Sequence, residues 1–138
     1  MYTRYLENQV LGAEPVELVQ MLYAGAIDAV RQAQQHMEEG RITERAAAIS
    51  RAMQIIIELQ GSLDMEQGGE IALGLAQLYI YIQERLIEAN GEQKRAALDE
   101  ALALMLILEE GWKEAGQQMQ SLAPAPRIPV ESAAGWTL

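Results

Sequence analysis

The chain predicts an all-α protein, an antiparallel up-down-up-down four-helix bundle with a short N-terminal arm and a flexible C-terminal tail. Three observations lead there. Four stretches, each about 20 residues or more, repeat apolar side chains at helical spacing. Short corners at Gly40, Gly68-Gly69 and Asn90-Gly91 separate them, too short for a crossover connection. Half of the residues are hydrophobic, and Leu, Ala, Gln, Glu and Met dominate while Phe is absent, a composition of strong helix formers. At 138 residues the chain is long enough for one domain with a real core. That domain is expected over residues 1–121, followed by a proline-rich tail over 122–138.

Residues 1–13 form the arm. Tyr2, Tyr5, Leu6, Val10 and Leu11 are spread through it, and a helix this short needs a surface to pack on. The first helix is expected to start at Pro15, with Glu17 in its first turn. Its expected core stripe is Leu18, Leu22, Gly25, Ala26, Ala29 and Ala33, flanked by Val19, Tyr23 and Val30. The small residues midway allow a neighbouring helix to come close. His36 falls in the last turn before Gly40, where the helix dipole favours a cation.

The second helix is expected to begin at Thr43-Glu44-Arg45, with a core stripe of Ile49, Ala52, Ile56, Leu59 and Leu63. Ile55 and Ile57 widen its apolar face, which is expected to be covered by neighbours on both flanks or else to leave one flank for a partner. Gly68 is placed as a helix C-cap and Gly69 as a second permissive residue. The third helix is expected from Glu70 to about Ala89. It carries two apolar faces. One holds Ile71, Leu75, Leu78, Ile82, Leu86 and Ala89, and the nearly opposite one holds Leu73, Ala76, Ile80 and Ile87. A bundle helix ordinarily needs one stripe, so this helix is expected to be covered on both sides.

The fourth helix is expected over Gln93–Gln120, with a core stripe of Leu98, Ala101, Leu102, Met105, Leu108, Trp112 and Met119. Ala103, Leu106 and Ile107 point away from that stripe. Trp112 is read as a core anchor whose indole N–H reaches an acceptor. The tail is rich in proline and small residues and has little to bury.

A net charge of −10 argues against a nucleic-acid surface and against anionic membrane. The absence of cysteine removes disulfides and thiolate chemistry. No apolar run has the length of a membrane span, and the N-terminus lacks a signal-peptide pattern, so a cytoplasmic location is expected. No catalytic residue, cofactor or metal site is expected. The single histidine has neither a nucleophile motif nor ligands at metal spacing. Gln67-Gly68-Gly69 lacks the lysine and the preceding strand of a phosphate loop.

The stretch Leu63–Asn90 closely resembles the flagellin-specific export chaperones of the FliS family. The matching residues are Leu63, Asp64, Glu66, Gly68, Gly69, Glu70, Ile71, Ala72, Leu75, Leu78, Tyr79, Tyr81, Arg85, Leu86, Ala89 and Asn90. A second match runs from Pro15 through Leu18, Val19, Met21, Leu22, Tyr23, Gly25, Ala26 and Ile27. Tyr2 and Tyr5 match tyrosines that recur in the arms of that family. Glu14 departs from it, because Ser or Thr usually precedes the proline. The resemblance spans roughly residues 1–120.

The resemblance implies an ATP-independent cytoplasmic chaperone. Its partners would be the C-terminal segment of newly made flagellin, kept from premature polymerisation, and the flagellar export apparatus that receives the complex. From the helical wheel, the side chains expected to meet flagellin are Leu73, Ala76, Ile80, Ile87, Leu106 and Ile107. The arm residues Tyr2, Tyr5, Leu6 and Val10 are expected to shield part of that surface. Composition and periodicity alone are equally compatible with a structural bundle that forms a homodimer, even a weak one, through its extra apolar faces.

Overall fold

The computed structural model describes residues 16–122, and side chains from 17 to 114. Four helices follow one another: α1 (Val16–Glu38), α2 (Ile42–Gly61), α3 (Met65–Glu92) and α4 (Arg95–Leu122). α1 packs on α2 and α4, and α3 packs on the same two, closing a four-helix bundle as expected. The arm, with Tyr2, Tyr5, Leu6 and Val10, lies outside the described residues, as do Pro15 and the tail beyond residue 122.

The corners hold the antiparallel order, each by its own chemistry. Gly40 takes φ +73°, and its N–H donates to the Met37 carbonyl at 3.2 Å. The Arg41 N–H reaches the His36 carbonyl at 2.9 Å, so this corner is a Schellman turn on the expected glycine. α2 ends at Gly61, where the Ser62 N–H and hydroxyl both donate to the Glu58 carbonyl. Asp64 then caps a single turn by accepting from the Gln67 N–H at 3.0 Å. Gly69, not Gly68, bends the chain there, at φ 56° and ψ −132°. The third corner also moves. The helix continues through Asn90-Gly91 to Glu92, and Gln93 is the left-handed residue, with φ 55° and ψ 40°.

The core also sits differently from the wheel reading. In α1, Val19, Tyr23, Ala26, Ala29, Val30 and Ala33 are buried, whereas Leu18 is exposed and Leu22 half-buried. In α3 the buried stripe is Ala72, Ala76, Tyr79, Ile82, Leu86 and Ala89. Ile71 and Leu78, expected in that core, are exposed. Small residues explain the rotation: two helices approach closest over alanine, so the seam follows Ala26, Ala29 and Ala33, and Ala72 and Ala76. Gly25 makes the same point, because a Cβ there would lie 3.4 Å from Ile55 Cδ1 of α2. In α2 and α4 the expected stripes hold largely. Ile49, Ala52, Ile56 and Leu59 are buried, as are Leu98, Ala101 and Met105. Leu63, Leu102, Leu108 and Trp112 pack on this core half-buried.

Candidate partner-binding surface

Two polar pins lock the helices at fixed heights and so fix what lies on the outside. The first is a chain of three aromatic side chains, two buried tyrosines and the half-buried Trp112. Trp112 Nε1 of α4 donates to Tyr23 Oη of α1 at 3.2 Å, and that oxygen lies 2.5 Å from Tyr79 Oη of α3. Trp112 is therefore the anchor the sequence suggested, and its acceptor is a phenol. Burial pushes both phenols to higher pKa, so the pair stays protonated. The second pin is Arg45 of α2, only 5% exposed. Its Nη2 donates to the Asn90 carbonyl at 3.1 Å and its Nε to Asn90 Oδ1 at 3.3 Å. That carbonyl belongs to the last turn of α3, the negative pole of the helix, which steadies a buried guanidinium.

Outside this framework, α3 carries most of the large apolar side chains left in solvent among the described residues. They fall on its two shoulders, either side of the buried Ala72–Tyr79–Leu86 seam. Leu73, Ile80 and Ile87 follow each other every two turns toward α2, at 49%, 46% and 59% exposure. The Gln83–Gln60 hydrogen bond of 2.9 Å marks this as the α2 side. Ile71 and Leu78 form the other shoulder, toward α4. Here Tyr81 donates to Glu100 at 2.7 Å, and Arg85 Nε pairs with the same carboxylate at 2.7 Å. The bond to Glu100 holds the Tyr81 phenol above its ordinary pKa.

A groove of about 510 Å³ opens between α2 and α3 near the Gln93 corner. Ile49, Met53 and Ile57 line it from α2, and Ile87, Asn90 and Gly91 from α3. Ile57 and Ile87 are both more than half exposed at its lip. The groove is mostly apolar with a few amide edges, the lining that suits an apolar helix face.

The structure separates the six side chains singled out from the wheel. Leu73, Ile80 and Ile87 share the α2-side shoulder of α3, and Ile87 lines the groove. Ala76 is buried beneath them, at 9% exposure. Ile107 is exposed on the α3 side of α4. Leu106 is half-buried and packs on the core. Sequence reasoning missed Leu78 and Ile71 as surface residues. Of the two flanks of the α2 stripe, one of which the sequence left open for a partner, it is the Ile57 flank that lies at the lip of the groove. Among the described residues, no group of side chains is arranged to hold a metal ion, and no helix is long and apolar enough to cross a membrane.

Comparisons with known proteins show the family. The family model described as "Flagellar protein FliS" matches residues 1–119. The chain is similar to flagellar secretion chaperone FliSB of Pseudomonas aeruginosa, 41% identical over 107 residues that cover 78% of this chain and 85% of the relative. It is also similar to flagellar secretion chaperone FliS of Salmonella typhimurium, 37% identical over 110 residues, 79% of this chain and 82% of the relative. A third relative, FliS of Vibrio cholerae, is 32% identical over 120 residues, 87% and 88% of the two chains.

Proposed function

This chain belongs to the FliS family of flagellar export chaperones, and from that premise we propose that it binds the C-terminal segment of newly made flagellin in the cytoplasm. Bound there, the segment is kept from polymerising early and is handed to the flagellar export apparatus. The observation that carries this reading is the apolar shoulder of α3, Leu73, Ile80 and Ile87, running into the α2–α3 groove. A face of this kind takes one side of an amphipathic helix. A partner segment that is unfolded when free would gain helix as it docks. Binding needs no nucleotide, since apolar burial supplies the driving force. Fully burying one exposed Leu or Ile contributes about 1.5–3 kcal/mol, so three or four anchors suffice for a complex that can still be released.

Titration calorimetry with a synthetic flagellin C-terminal peptide tests the proposal. The expected result is one-to-one binding with a negative heat-capacity change and a gain of helical circular dichroism. Absence of binding, together with a tight homodimer in sedimentation, would hand the α3 face to self-association instead.

A further inference from the structure

The second shoulder of α3 is a separate surface with a different electrostatic character. The contacts of Glu100 with Tyr81 and Arg85 fix the antiparallel register of α3 and α4. In that register Leu104 and Ile107 of α4 lie alongside Leu78 and Ile71 of α3. Between them come Gly74 and Gly111, and a Cβ at either glycine would meet no atom within 4 Å. The result is a shallow apolar trough that is open to solvent, with Ile71 65% and Ile107 66% exposed. The Tyr81–Glu100–Arg85 cluster closes one end.

The other end is acidic. Glu70 of α3 and Glu110 and Glu114 of α4 are all exposed, and the antiparallel register brings them to one height, with the exposed Lys113 in the same turn of α4. Among the described residues none of these carboxylates pairs with a cation. Among the described residues every Lys or Arg ion pair instead lies around the Gly40 and Gln93 corners: Arg41 with Glu39, Arg85 with Glu88 and Glu100, Lys94 with Glu88 and Glu92, and Arg95 with Glu38 and Asp99. Among the described residues, most carboxylates near the Gly40 and Gln93 corners are paired, whereas Glu70, Glu110 and Glu114 are not, and they lie at the end that carries the exposed Ile71.

We propose that the α3–α4 trough is a second docking surface, distinct from the α2–α3 groove, and that its occupant is a basic amphipathic helix of a partner protein. Apolar side chains of the partner cover Ile71, Leu78 and Ile107, and Lys or Arg flanking them meets Glu70, Glu110 and Glu114. The glycines let the partner backbone come close. Charge sets both the encounter rate and the choice of partner. The two shoulders lie on opposite sides of the buried α3 seam, so the trough and the groove do not share side chains.

The test uses the full chain and two labelled synthetic peptides of about 15 residues, long enough for four helical turns. Both carry the same leucine face; one is flanked by lysines and arginines, the other by glutamates. Fluorescence anisotropy should show the basic peptide binding at least tenfold more tightly, with affinity falling as salt rises from about 0.05 to 0.5 M. Ile107→Glu should abolish binding, and the Glu110→Gln/Glu114→Gln pair should weaken it several-fold and flatten the salt dependence. Ile87→Glu should leave it unchanged, which separates this surface from the groove proposed for flagellin. Equal binding of the two peptides, no binding of either, or loss with Ile87→Glu but not with Ile107→Glu would overturn the proposal.

Discussion

Tyr23 Oη and Tyr79 Oη face each other at 2.5 Å in the core, and Trp112 Nε1 donates to the Tyr23 oxygen alone. Tyr23 is therefore the hub of the chain and Tyr79 its end. Tyr23→Phe strands the fully buried Tyr79 hydroxyl and takes the acceptor from the half-buried indole N–H. Tyr79→Phe removes one bond and leaves Tyr23 accepting from Trp112. Stranded buried donors cost about 1–3 kcal/mol each, and a single lost bond about 0.5–1.5 kcal/mol. Urea unfolding should rank Tyr23→Phe below Tyr79→Phe by at least about 1 kcal/mol. Equal losses would mean that the hub is not Tyr23.

The same pair sets an alkaline limit. Burial raises both phenol pKa values in the fold, while an unfolded tyrosine ionises near pH ~10. Below that pH both states hold the proton, and the pair's contribution is complete. Above it the unfolded chain releases protons that the folded chain keeps, so stability falls as pH rises. Melting temperature should decline from about pH 10 upward. In the Tyr23→Phe/Tyr79→Phe double variant the decline should be shallower. An unchanged slope would assign it to other groups.

Gly69 should not tolerate a side chain, although nothing crowds it. A Cβ there meets no atom within 4 Å, but φ 56° with ψ −132° belongs to backbone space reserved for glycine. Gly69→Ala is expected to cost about 1–3 kcal/mol from the backbone alone. Gly74→Ala, on the same helix and equally uncrowded, should be neutral or slightly stabilising. A neutral Gly69→Ala would show that the bend relaxes into continuous helix.

Ile80→Glu and Ile87→Glu should each weaken flagellin-peptide binding by tenfold or more, on the order of 1.4 kcal/mol. Both side chains are close to half exposed or more, so the bundle should fold normally and melt within a few degrees of the parent. Leu86→Glu is the contrast, because Leu86 is fully buried and a carboxylate there should unfold the domain. Folded variants that bind normally would place the flagellin site elsewhere.

The number of helices, their antiparallel order and the Gly40 corner were legible from periodicity and turn residues. So was the exposure of Leu73, Ile80, Ile87 and Ile107. The centre of the α3 core was not, because a wheel weighted toward Leu and Ile draws the seam through Ile71 and Leu78. The folded seam runs through Ala72, Ala76 and Tyr79, where helices approach closely and a phenol finds a partner on α1. Arg45 was equally hidden. In the sequence it belongs to a charged helix start, and only the distant Asn90 carbonyl makes its burial tenable.

The uneven placing of ion pairs also gives the bundle a direction of opening. Around Gly40 and Gln93, Arg45 and the charged pairs tie α2 to α3, α3 to α4 and α4 to α1. At the opposite end, Gly69 interrupts α3 and the carboxylates around it repel one another. Amide hydrogen exchange should follow that gradient, slowest near Leu86 and Ala89 and fastest in the turns around Gly69. Fraying of this kind would start beside Ile71 and Leu73, leaving the Arg45 end as the last part of the molecule to come apart.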